Sequence, residues 1–90
     1  MPKIERNGDA NVAGGIAQQG AQTVFANGKN VMLPGMPVTP HRKGGKHKVA
    51  RTKGGSSTVF AEGLPVIHVN DFDTCGHKRS AGSDDVFVGA

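Results

Sequence analysis

Tryptophan and tyrosine are absent from this 90-residue chain, and four phenylalanines, Phe25, Phe60, Phe72 and Phe87, are its whole aromatic supply. A large core is thereby excluded, and a chain this short buries only a modest fraction of its surface. The single cysteine, Cys75, leaves no internal disulfide to form. Small domains without either device are held together by a structural metal or a partner subunit, so one of these is expected here. No apolar run approaches the ~20 residues that a membrane helix needs. The start, Met1-Pro2-Lys3-Ile4-Glu5-Arg6, has no apolar stretch behind its charges. The expectation is one domain, residues 1–90, made in the cytoplasm and without a fused effector domain.

Glycine, by contrast, is plentiful, with 14 residues beside five prolines. No window sustains apolar spacing at helical period, and glycine or proline interrupts most candidate helices, which points to an all-β chain of short strands. Three segments repeat one pattern: Gly20-Ala-Gln-Thr-Val-Phe25, Gly55-Ser-Ser-Thr-Val-Phe60 and Gly82-Ser-Asp-Asp-Val-Phe87. Each reads as a glycine-bounded strand, with the turn formers Asn27-Gly28 and Glu62-Gly63 behind the first two copies. Leu64 to Val69 then reads as a returning strand and completes a hairpin. The first copy continues similarly through Lys29 to Leu33 before Pro34-Gly35 breaks it.

All four histidines and the cysteine fall in the second half: His41, His47, His68, Cys75 and His77. These side chains bind zinc or ferrous iron, and a small domain gains folding energy from such a site. In an extended segment Cys75 and His77 project to one side, so one ion can accept both. Gly44-Gly45 lies between His41 and His47 and would let that loop curl both imidazoles inward. His68 is either a ligand or a surface group. The bland alternatives are equally plain: a histidine among lysines and arginines is ordinarily solvated, and a lone cysteine is ordinarily a small buried hydrophobe.

The net charge of +4 and the run Arg42, Lys43, Lys46, Lys48, Arg51, Lys53 suit a polyanion, and a nucleic-acid binder is the alternative reading. Against it, no aromatics interleave with the basic residues for base stacking. Glu62, Asp71 and Asp73 are the nearby carboxylates and occupy turn-forming positions, so an enzyme is not expected.

The run Gly63-Leu-Pro-Val-Ile-His-Val-Asn-Asp71, followed by Cys75-Gly76 and by Gly82-Ser-Asp-Asp-Val-Phe-Val-Gly89, resembles the closing repeat of PAAR proteins. The Gly55-Ser-Ser-Thr-Val-Phe60 strand, the Pro37-Val-Thr-Pro-His41 turn and Arg6-Asn-Gly-Asp9 extend the likeness over nearly the whole chain. Two departures stand out: Ala13-Gly14-Gly15 replaces an early His-Gly-Gly, and His68 and Asn70 replace the arginine and glycine of the closing motif.

The resemblance implies a small conical β-fold whose apex is pinned by one zinc ion, iron being possible, and whose base sits as a monomer on a trimeric β-helical spike. The implied role is the piercing tip of a contractile phage tail or type VI secretion spike, meeting the target envelope transiently. It further implies metal ligands at His41, His47, Cys75 and His77, with His77 favoured over His68. The three Val-Phe units either present a three-fold base to the trimer or make the core.

Overall fold

Two dipeptides with left-handed backbone set the first local structure. Asn27-Gly28 and Glu62-Gly63 all have positive φ, between 53° and 80°, as a two-residue turn compatible with strand twist requires. Around the first, β1 (Phe25–Ala26) pairs antiparallel with β2 (Lys29–Asn30); around the second, β3 (Phe60–Ala61) pairs with β4 (Leu64–Pro65). The structure, a computed structural model, describes residues 2–40 and 50–88. Among these residues there is no helix, and the architecture is all-β, built of short hairpins and isolated bridges.

The third Val-Phe copy has no returning strand after it in sequence, and the other end of the chain provides one. Lys3 bridges Phe87 antiparallel. The Ile4 N–H donates to the Val86 carbonyl at 3.0 Å, as Val31 donates to Val24 at 3.0 Å and Val66 to Val59 at 3.1 Å. Three equivalent hairpins therefore exist, the last split between the two ends of the chain.

These hairpins close into a ring. Glu5 N–H donates to the Ile67 carbonyl (3.0 Å), Ile67 N–H to Met32 (2.9 Å) and Met32 N–H to Glu5 (2.9 Å). Each of the three residues follows the residue that returns to its own hairpin, so the cycle defines a pseudo-three-fold axis. A second cycle follows further along each unit, with Val12 N–H to Lys78 (2.9 Å), Thr39 N–H to Ile16 (2.9 Å) and Thr74 N–H to Arg51 (2.8 Å). The extents of 33 × 23 × 23 Å, with two equal short dimensions, suit an arrangement around one long axis.

Leu64 to Val69 differs from the expected single strand, because only Leu64–Pro65 pairs in β4. From Ile67 the chain leaves its hairpin to join the ring, and Asn70, at φ 84°, turns it again. The core gathers Ile4, Val31 and Val66 from the three units with Ala26, Ala61 and Val88. A second cluster, Ala17, Met32 and Ile67, lies beside the ring.

Candidate docking base and metal centre

The hairpin face decides between the two readings of the Val-Phe units. Phe25, Phe60 and Phe87 are 56%, 59% and 46% exposed, whereas Val59 and Val86 pack against the core. The phenylalanines are thus not core residues: alternation along each short strand sends Ala26, Ala61 and Val88 inward and the rings outward. The three aromatic side chains thus stand exposed at equivalent places around the pseudo-three-fold axis.

The rim of this face is interlocked. Glu62 accepts hydrogen bonds from the Thr23 N–H (2.8 Å) and hydroxyl (2.7 Å). Asn27 holds the equivalent turn position; its Nδ2 donates to Asp85 at 2.7 Å, and its Oδ1 accepts from Arg6 at 3.0 Å. Hydrogen bonds from Thr23 hold the Glu62 carboxyl below the usual carboxylate range, and those from Asn27 and Ser83 do the same for Asp85. The two turns thus tie the second hairpin to the first and the first to the third.

Beyond the rings, the chain makes three more hairpins, whose flanking bridges are Ala10↔Ile16, Pro37↔Arg51 and Phe72↔Lys78. Cys75 and His77 lie in the third, within the turn from Asp73 to His77. It is closed by Asp73 N–H to the His77 carbonyl (2.9 Å) and Gly76 N–H to Asp73 (2.9 Å). The thiol Sγ stands 3.3 Å from His77 Nδ1. Strand alternation was expected to align this pair, but the turn brings them together. In the second hairpin His41 and His47 lie outside the described residues. Its described flanks, however, reach the same place: Val38 N–H donates to Ala50 at 3.0 Å, and both residues pack against buried Cys75.

A cysteine sulfur beside an imidazole is a donor pair suited to zinc or ferrous iron, so these two residues fit such an ion. Among the described residues no group of three or more potential ligands gathers. His68 lies in a different turn, where its Nδ1 is 2.8 Å from the Val69 carbonyl and its Nε2 3.7 Å from Asp71 Oδ1. Both of its ring nitrogens already face oxygen partners.

Between the rings and the turn lies a charged centre that composition and motifs do not signal. Arg79, Glu5 and Asp73 have no solvent exposure. The Arg79 guanidinium donates to Glu5 Oε1 (3.0 Å), Asp73 Oδ2 (2.7 Å) and the Asp9 carbonyl (2.6 Å), and Asn11 Nδ2 adds a bond to Asp73 at 2.8 Å. Burial pushes the Glu5 carboxyl up to about 8 despite the adjacent guanidinium, with smaller upward contributions from the Asp9 and Asp73 charges. Aligning the three units would have revealed the cluster, for Arg79 stands where the other two carry Ala17 and Thr52, and Glu5 where they carry Met32 and Ile67.

Of the basic run, Arg42, Lys43, Lys46 and Lys48 lie outside the described residues, and Arg51 donates to the Gly35 carbonyl at 3.1 Å. Against models of known families, residues 7–89 match the PAAR motif. No curated protein sequence gives a match.

Proposed function

Because this chain belongs to the PAAR motif family, with 7–89 of its 90 residues matched, we propose that it is the tip of a contractile injection spike, seated on the end of a trimeric β-helical protein. The observation that carries this reading is the match in symmetry: a single chain presents three equivalent hairpins and three outward phenylalanines around one axis. A trimer ends in three identical edges, and only a chain with its own pseudo-three-fold base meets all of them alike. Docking would cover each ring and contribute roughly 2 kcal/mol per phenylalanine from burial of about half its surface. The role is structural, with no catalytic step.

Piercing requires the narrow end to resist deformation with almost no core behind it. The hydrogen-bonded rings carry load from the base toward the turns, since each unit is bonded to both neighbours. At the far end, Cys75 and His77, together with His41 and His47, would hold a zinc or iron ion. Such an ion would tie the second and third hairpin loops by short, strong bonds.

The test is assembly with a trimeric β-helical spike, measured by size-exclusion chromatography with light scattering. The expected stoichiometry is one chain per three spike subunits, and the triple variant F25S/F60S/F87S is expected to lose binding while keeping its circular dichroism spectrum. Undiminished binding by the triple variant would remove the hairpin face from the interface.

A further inference from the structure

Asp73 occupies a place in its turn that Asn11 occupies in the first loop, and the two use their side chains differently. Asn11 folds back on its own loop, its Oδ1 accepting from the N–H groups of Ala13 (2.9 Å) and Gly15 (2.8 Å). The Asp73 carboxylate turns inward, where Arg79 donates to it at 2.7 Å and Asn11 Nδ2 at 2.8 Å. Closing a turn needs only the local arrangement that Asn11 adopts. A buried ion pair is a costly substitute, because desolvation offsets much of its attraction, and one attested return is fixed geometry.

What the pair fixes can be read from its partners. Asp73 N–H and C=O both close the turn carrying Cys75 and His77. Arg79 in turn is tied to Glu5 of the axial ring, to the Asp9 carbonyl and, at 3.4 Å, to the Gly15 carbonyl. The positions equivalent to Arg79 carry the smaller residues Ala17 and Thr52, both also buried. A continuous chain of buried contacts thus runs from the axial ring to the Cys75–His77 turn.

We propose that Asp73, clamped by Arg79, is a positioning residue that holds the Cys75–His77 turn in its bonded form before any ion arrives. The proposal rests on the metal reading above for its purpose, and on the hydrogen bonds alone for its mechanism. A turn held in advance lowers the ordering cost of binding, as residues outside a metal's direct ligands commonly do.

The experiment uses full-length protein stripped with chelator, comparing wild type with Asp73→Asn and with Asp73→Glu, which keeps the charge on an arm one methylene longer. Amide hydrogen exchange is read at Asp73, Thr74 and Gly76, with Glu5, Met32 and Ile67 as internal controls, and Co2+ is then titrated by its thiolate absorption. In metal-free wild type the turn amides are expected to be protected. Both variants should lose tenfold or more of that protection with the ring amides unchanged, and Co2+ affinity should fall by about 10- to 100-fold. Unprotected turn amides in metal-free wild type, or variants matching wild type in both readouts, would overturn the proposal. A protected wild-type turn that the variants loosen, in a protein that takes up no Co2+, would leave Asp73 as the anchor and remove the metal reading instead.

Discussion

Ala13 and Cys75 stand at equivalent positions of two loops around one axis: Asn11 N–H to Gly15 closes the first as Asp73 N–H to His77 closes the third, at 2.9 Å each. Gly15 likewise faces His77 in this correspondence. The first loop, residues 11–15, therefore brings neither a cysteine nor a histidine to that end of the axis.

Metal content follows directly. Purified chain is expected to hold about one equivalent of zinc or iron by elemental mass spectrometry. C75A or H77A should lower the content and cost a few kcal/mol, equivalent to a fall in Tm of ~10 °C or more for a domain of this size. His68→Ala should leave metal content unchanged, since that imidazole is engaged with Val69 and Asp71. Metal loss in H68A with retention in H77A would exchange the two assignments.

Glu5 makes stability fall as pH rises. Its carboxyl is raised to about 8 in the folded chain from an ordinary 4.5, so between those values the native state binds more protons than the unfolded state. Its contribution is full below about pH 4.5 and is lost progressively up to about pH 8, by a few kcal/mol at most. Urea midpoints measured from pH 5 to pH 8.5 should decline in wild type and decline less in Glu5→Gln. Parallel profiles would show that Glu5 keeps its charge beside Arg79.

Gly20 tests the hairpin-to-ring junction. With φ at 100°, a Cβ there would lie 2.5 Å from the Val31 carbonyl oxygen, which already accepts from Ala21. Gly20→Ala should destabilise by about 2–4 kcal/mol in urea unfolding. Gly28→Ala, also at positive φ but with open space around it, should cost only about 1 kcal/mol. Equal losses would mean that backbone conformation alone, and not the close approach to Val31, makes Gly20 necessary.

At the rim, Glu62→Ala removes the two Thr23 hydrogen bonds and frees a turn residue held at φ 53°. The expected loss is about 1 kcal/mol. Spike binding should weaken more than stability does, because the Phe25 and Phe60 hairpins lose their tie. Binding changed no more than stability would make this contact a local turn feature only.

The hairpins were legible because their causes are local. A β-branched residue next to an aromatic one, followed by Asn-Gly or Glu-Gly, needs nothing distant to form a turn. The likeness of the cysteine-bearing segment to known tips was also readable from motifs in order along the chain. The split third hairpin was not, although Ile4-Glu5-Arg6-Asn7-Gly8-Asp9 echoes Val66-Ile67-His68-Val69-Asn70-Asp71, because strand pairing between chain ends depends on ring closure. Nor did composition reveal that Arg79, Glu5 and Asp73 lie inside, for charged residues read as surface until a fold brings opposite signs together.

By itself, then, the sequence determined three Val-Phe strands, two tight turns and a cysteine–histidine pair too close in the chain to be separated. Tertiary structure alone decided that the phenylalanines face outward, that the termini complete the third unit and that one arginine bridges two buried carboxylates. The physical reason is cyclic closure: the backbone donors of Glu5, Met32 and Ile67 are each satisfied by a neighbouring unit's carbonyl, so no unit's exposure or partners are fixed until all three have met.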